Sequence, residues 1–97
     1  MDFLDFLSND GNDFKGRTLK LIWSFSDEDI EGTHDFIQIV FPLNKPSDHA
    51  FHGYYLDSED LIQQIRDNLI ARNNILKSSK WYFSFLKRNI WLWNRNY

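Results

Sequence analysis

Few residues in this chain have the means to move a proton or hold a metal. There are three histidines, His34, His49 and His52, set among fourteen acids and eleven bases, and no cysteine. His34 is followed directly by Asp35, but consecutive helical positions point about 100° apart, so adjacency does not make a dyad. No G-x-S-x-G elbow or similar nucleophile accompanies them. A histidine that closes a helix contact is the expected role. In "DHAFH", Asp48, His49 and His52 supply two imidazoles three residues apart plus a carboxylate, with Asp57 beyond, a donor set that zinc accepts. Neither HExxH nor a cysteine supports it, and the segment reads as a solvated polar loop. "NDGNDFKGR" has two glycines, but no Walker lysine follows the second. The expectation is therefore a protein that is not an enzyme and needs no cofactor or metal.

The acids are more informative. Residues 1–60 hold 13 acidic and 4 basic side chains, a net of −9, whereas residues 61–97 hold 1 acid and 7 bases, a net of +6. Asp27, Glu28, Asp29, Glu31 and Asp35 crowd into one stretch, Asp10 and Asp13 lie in a turn before it, and Asp57, Glu59 and Asp60 open a later helix. Helix starts favour acids through the backbone dipole, which accounts for much of this pattern. The remaining reading is an acidic surface whose carboxylates take the place of phosphates in the basic groove of a nucleic-acid-binding protein. Those ten acids are the candidate partner-binding residues. The C-terminal "KSSKWYFSFLKRNIWLWNRNY" mixes bases with aromatics as single-strand platforms do, but a small domain must bury its aromatics. Core packing is expected there, with no direct nucleic-acid contact.

The elements that must position these residues are helical. "MDFLDFLS" places Phe3, Leu4, Phe6 and Leu7 at helical spacing and "NDGND" ends it. "TLKLIWSFS" fits a short helix starting at Thr18. Ser26 and Asp29 form an acidic capping box, from which one helix is expected to run to Pro42 with Ile30, His34, Ile37 and Phe41 on its inward stripe. Gly32 weakens that helix and Pro42 stops it. "PLNKPSDHAFHGYYLD" is a long loop, of the kind that is usually functional or well packed. Ser58 caps the next start, and Ile62, Ile65, Leu69, Leu76, Phe83, Leu86, Ile90 and Trp93 follow at a 3–4 stride, with a break expected near Asp67 or at Ser78-Ser79. The fold class is all-α: a compact single domain over residues 1–97 with four to five helices and a long ordered loop after the third. Seventeen aromatic residues, 18% of the chain, can fill its one modest core.

Cysteine is absent, as in reducing compartments. The N-terminal acids do not suit a signal peptide, and no apolar run reaches the roughly 20 residues that span a bilayer. A cytoplasmic protein that does not engage membranes is expected.

"GTHDFIQIVFPLNKPS" resembles the conserved region of opioid growth factor receptor-related proteins, in which a helix reads roughly H-x-Y-I-Q-W-L-F-P-L-x-x-P-S. His34, Ile37, Gln38, Phe41, Pro42, Leu43, Pro46 and Ser47 match it, while Phe36 replaces Tyr and Ile39 replaces Trp. The flanking "GRTLKLIWSFSDEDIE" and "LDSEDLIQQIRDNLIARNNIL" extend the likeness over most of residues 14–88. It implies a helical fold and, by itself, a protein- or peptide-interaction module with no catalytic residue. In overall size and charge the chain is also similar to small phage-encoded type I-F anti-CRISPR proteins, several of which act as DNA mimics. That likeness implies an inhibitor that binds a crRNA-guided surveillance complex of the host where target duplex enters.

Overall fold

A computed structural model describes residues 1–45 and 54–90, and within them every regular element is an α-helix. The helices are α1 (Phe3–Ser8), α2 (Leu19–Trp23), α3 (Asp27–Gly32), α4 (Ile37–Val40), α5 (Glu59–Asp67) and α6 (Leu69–Arg88). No helix among the described residues is long and apolar enough to cross a membrane.

Local signals start most of these helices. Asp2, Thr18, Ser26, Ser58 and Asn68 each accept, through a side-chain oxygen, a backbone N–H of the following first turn. At Ser26 the capping box is complete, because Asp29 in turn accepts the Ser26 N–H at 3.2 Å. Asn68 serves two helices. Its N–H closes α5 on the Ile65 carbonyl, and its side chain opens α6 by accepting the Ala71 N–H at 2.9 Å. The break thus falls next to Asp67, one of the two places expected.

α6 is the spine, packed against α1 and α5, which also touch each other. It passes unbroken through Ser78-Ser79, where a break was also expected. Ser79 returns its hydroxyl to the Ile75 carbonyl at 3.1 Å, and buried Ser78 accepts the indole N–H of Trp23 at 2.8 Å. Both hydroxyls are satisfied without opening the helix. Asn74 donates to the Leu7 carbonyl at 2.8 Å, so one of the carbonyls left over at the end of α1 is met by α6.

The expected single helix from Asp27 to Pro42 is two helices, which brings the described total to six. Thr33 is extended at φ −121°, ψ 118°, and a turn at Asp35-Phe36 re-aims the chain into α4. The inward residues change accordingly. Ile30, Phe36, Ile39 and Val40 are buried, whereas His34 and Ile37 are exposed and Phe41 is only partly buried. Phe36 is the hub of the aromatic core, edge-on to Phe25 and Trp81 at 5.8 Å and to Tyr82 at 6.4 Å. Pro42 does follow α4, with Phe41 pushed out of the α region.

The long loop therefore follows the fourth helix. Its described ends are joined by the Leu56 N–H donating to the Leu43 carbonyl at 2.8 Å. Tyr54 stacks on Phe14 at 4.7 Å. Residues 46–53, with Asp48, His49 and His52, lie outside the described residues, as does Trp93.

Candidate partner-binding acidic surface

The ten acids proposed from the sequence divide into two populations. Asp13 and Asp35 are buried. The turn that holds Asp13 is closed by its own N–H on the Arg17 carbonyl at 2.8 Å and by the Gly16 N–H on the Asp13 carbonyl at 3.1 Å. Gly16 sits at φ +77°, a left-handed conformation that glycine adopts without steric cost. In that turn one Asp13 oxygen accepts the N–H groups of Lys15 and Arg17, each at 2.9 Å, and the other accepts Arg17 Nε at 2.7 Å. Arg17 Nη1 then donates to Asp35 at 2.8 Å, and Lys15 Nζ pairs with the other Asp35 oxygen. Arg17 Nη2 lies 2.7 Å from Asp13 Oδ2, an ion pair without hydrogen-bond alignment.

The four charges cancel within the cluster. Burial alone would raise the Asp35 carboxyl, but hydrogen bonds from Lys15 and Arg17, with their charges, hold it below its ordinary value. Burial likewise pulls Arg17 down, and its hydrogen bonds to Asp35 and Asp13 more than reverse this. Asp35 is thus an anchor that ties the α3–α4 connection to the Asp13–Arg17 turn, and it does not act as a base for exposed His34. This pairing is also the physical reason that the helix breaks, since Asp35 has to turn inward at that point. Neither Asp13 nor Asp35 can be presented to a partner.

The other eight are at or near the surface. Asp27 has a role within the fold: its two oxygens accept Arg88 Nη2 at 2.6 Å and Arg88 Nε at 3.0 Å, and Asn89 Nδ2 adds a third contact at 3.1 Å. Those bonds, from Arg88 first, hold the Asp27 carboxyl below its ordinary range. They fasten the start of α3 to the end of α6. Glu28, Asp29 and Glu31 are exposed. Asp29 spends one oxygen on the cap, which leaves Glu28 and Glu31, one turn apart, as the outward pair of α3. Glu31 is close enough to the Tyr82 hydroxyl that its charge, after burial, raises that group's pKa. Exposed Asp10 meets exposed Lys20 at 3.7 Å. Asp57, Glu59 and Asp60 are exposed at the start of α5, and Asp57 and Glu59 line a small polar cleft with Asn44, Leu56, Ser58 and Ile62.

Among the described residues no three His, Cys, Asp or Glu side chains converge as a metal would require. Exposed carboxylates on this surface can pair with cations. No protein family, curated protein or solved structure matches the chain.

Proposed function

We propose that the protein is a non-enzymatic inhibitor that sets the outward acids of α3 into a basic, nucleic-acid-binding surface of another protein. The observation that supports this reading is the state of the carboxylates on α3. Asp27 is tied to Arg88 and Asp29 to the helix cap, while Glu28 and Glu31 are exposed on adjacent turns. Of the cations that precede α3, Lys20 meets Asp10, and Lys15 and Arg17 are occupied by Asp35 and Asp13. Carboxylates held this way on a capped helix can take Lys and Arg side chains that otherwise meet phosphates. The partner class is a phage-host target, with a type I-F crRNA-guided surveillance complex as the candidate.

The test uses the two side chains whose replacement leaves the fold alone. Glu28→Lys/Glu31→Lys should retain the helical circular dichroism and melting temperature of the wild type. It should also lose most of its capture of the surveillance complex in a pull-down, and added salt should weaken wild-type capture in the same direction. Capture that is unchanged by the double reversal excludes this surface. If the wild type does not bind the complex, that partner is excluded.

A further inference from the structure

The outer face of α6 is built in a way that the core does not need. Leu69, Leu76, Phe83 and Ile90 recur every seven residues, and each is more than half exposed. The sequence pattern assigns these side chains to the core, yet the buried line of the helix is Ala71, Ser78 and Phe85. A seven-residue step leaves successive side chains only about 20° apart around an α-helix, so Leu69, Leu76 and Phe83 form one continuous ridge on α6, and Ile90 lies just past the Asn89 cap. At 1.5 Å per residue it is about 21 Å long from Leu69 to Phe83. Phe83, Leu86, Lys87 and Ile90 line a shallow recess near its C-terminal end. One heptad line of α6 is thus spent on the fold while a second, on the far side, has no partner within the described residues.

The charged side chains that border this ridge on its own helix are all cations. From Leu69 to Arg88 the helix carries five bases and no acid. Lys80 and Lys87 fall within about 40° of the ridge centre on one side, and Arg72 within about 40° on the other. All three are exposed.

We propose that this ridge docks an acidic amphipathic helix of a partner protein. A single apolar line at a seven-residue period is one half of a knobs-into-holes seam, and a second helix with the same repeat completes it. The flanking Lys80, Lys87 and Arg72 select Glu or Asp beside that partner's seam. A second copy of α6 would bring the same cations together. A bilayer surface favours an apolar arc of about 100° or more, whereas here the ridge is only about 40° wide and lysines stand directly beside it. The proposal concerns a different helix, the opposite charge and a different partner from the acidic surface of α3, and it stands or falls separately.

The probes are two labelled three-heptad helical peptides with Leu at the seam positions, one with Glu and one with Lys at the flanking positions. Fluorescence anisotropy should show the Glu peptide binding at least about tenfold tighter than the Lys peptide. Leu76→Ser/Phe83→Ser should weaken the Glu peptide at least about tenfold, and Lys80→Glu/Lys87→Glu should reverse the preference. These positions are exposed, so unchanged circular dichroism and melting are expected for both variants and are checked alongside.

Because the chain has no cysteine, Phe83→Cys supplies a single reporter thiol. A polar maleimide should label it at the rate of a free peptide thiol and be slowed by the Glu peptide. Equal binding or no binding of the two peptides overturns the proposal, as does a ridge variant that binds normally. So does slow labelling in the free monomer, which would mean that the chain covers its own ridge. A dimer in sedimentation that Phe83→Ser dissolves would assign the ridge to a second copy. Tighter binding to phosphatidylserine vesicles, or to a single-stranded oligonucleotide, than to the Glu peptide would assign it to those surfaces instead.

Discussion

Asp35 and Asp27 come from the same acid-rich stretch, and each takes an arginine as its partner. Their surroundings make them different devices. The Asp35 side chain keeps 10% of its surface and meets Arg17, which keeps 11%, while Asp27 keeps 41% and meets Arg88, which keeps 53%. Inside, the desolvation of each charge has to be offset by its partners, so removing one member of the Asp13–Arg17–Asp35 set leaves a buried charge short of compensation. Outside, water replaces a missing partner, and the Asp27–Arg88 pair contributes orientation more than stability. Acid content alone therefore says little about where a binding surface lies. Burial decides whether a carboxylate is available.

The largest effect is expected for Arg17→Met, which leaves buried Asp13 without its guanidinium and Asp35 with Lys15 alone. A loss of about 3 kcal/mol is expected, equivalent to a fall in melting temperature of roughly 12 °C or more for a domain this size. A scanning-calorimetry shift of only a degree or two would place this cluster in the same class as the surface pair.

Asp35→Asn comes next, with about 2 kcal/mol lost at neutral pH, because charged hydrogen bonds to Lys15 and Arg17 are weakened while Asp13 still holds Arg17. Its pH dependence has a definite sign. The folded Asp35 carboxyl lies below its ordinary value of 3.8, so the unfolded chain binds the proton first. The stabilisation is fully present above that value and is lost as the pH falls below it. Urea titrations from neutrality to acid should show wild-type stability falling toward that of Asp35→Asn, with the difference smallest in acid. A gap that stays constant with pH would mean that the aspartate acts by shape and not by charge.

Gly16→Ala probes how the buried cluster is assembled. A Cβ at this position meets nothing within 4 Å, so the cost is that of the left-handed backbone alone. About 1 kcal/mol is expected, read as a shift in the urea midpoint. A larger loss would show that distortion of the turn also misplaces Arg17.

What could be read in the sequence was local. The helix start at Thr18, the caps at Ser26 and Ser58, the stop at Pro42 and the break beside Asp67 all depend on residues within a turn of one another, and the structure has each of them, with Thr18 as the cap of α2. What could not be read depends on partners far along the chain. The Thr33–Phe36 break follows from Asp35 reaching Arg17, eighteen residues earlier. The rotation of α6 follows from Ser78 meeting Trp23 and Asn74 meeting Leu7, contacts that no hydropathy pattern carries. Small Ala71 and Ser78 gave way to Leu76 and Phe83 as expected core residues, although small side chains are what allow other elements to pack close to a helix. Among the acids, Glu28 and Glu31 stood out as charge in the sequence, but the burial of Asp13 and Asp35 had no local signature.

The smallest change in stability is expected at the outer pair. Arg88→Met removes both of the Arg88 hydrogen bonds to Asp27, yet both groups are open to water, and the α3 cap at Ser26 and Asp29 does not depend on them. The melting temperature should stay close to that of the wild type, and high salt should erase any remaining gap. A drop that rivals Arg17→Met would reveal that the end of α6 holds α3 in place, and the contrast between the two pairs would disappear. The same variant makes a second, opposite claim. Freed from Arg88, Asp27 joins Glu28, Asp29 and Glu31 as uncompensated charge on α3, so capture of a basic partner should strengthen while stability stands still. Weaker capture would mean that the Asp27–Arg88 pair, bound as it is, belongs to the surface the partner recognises.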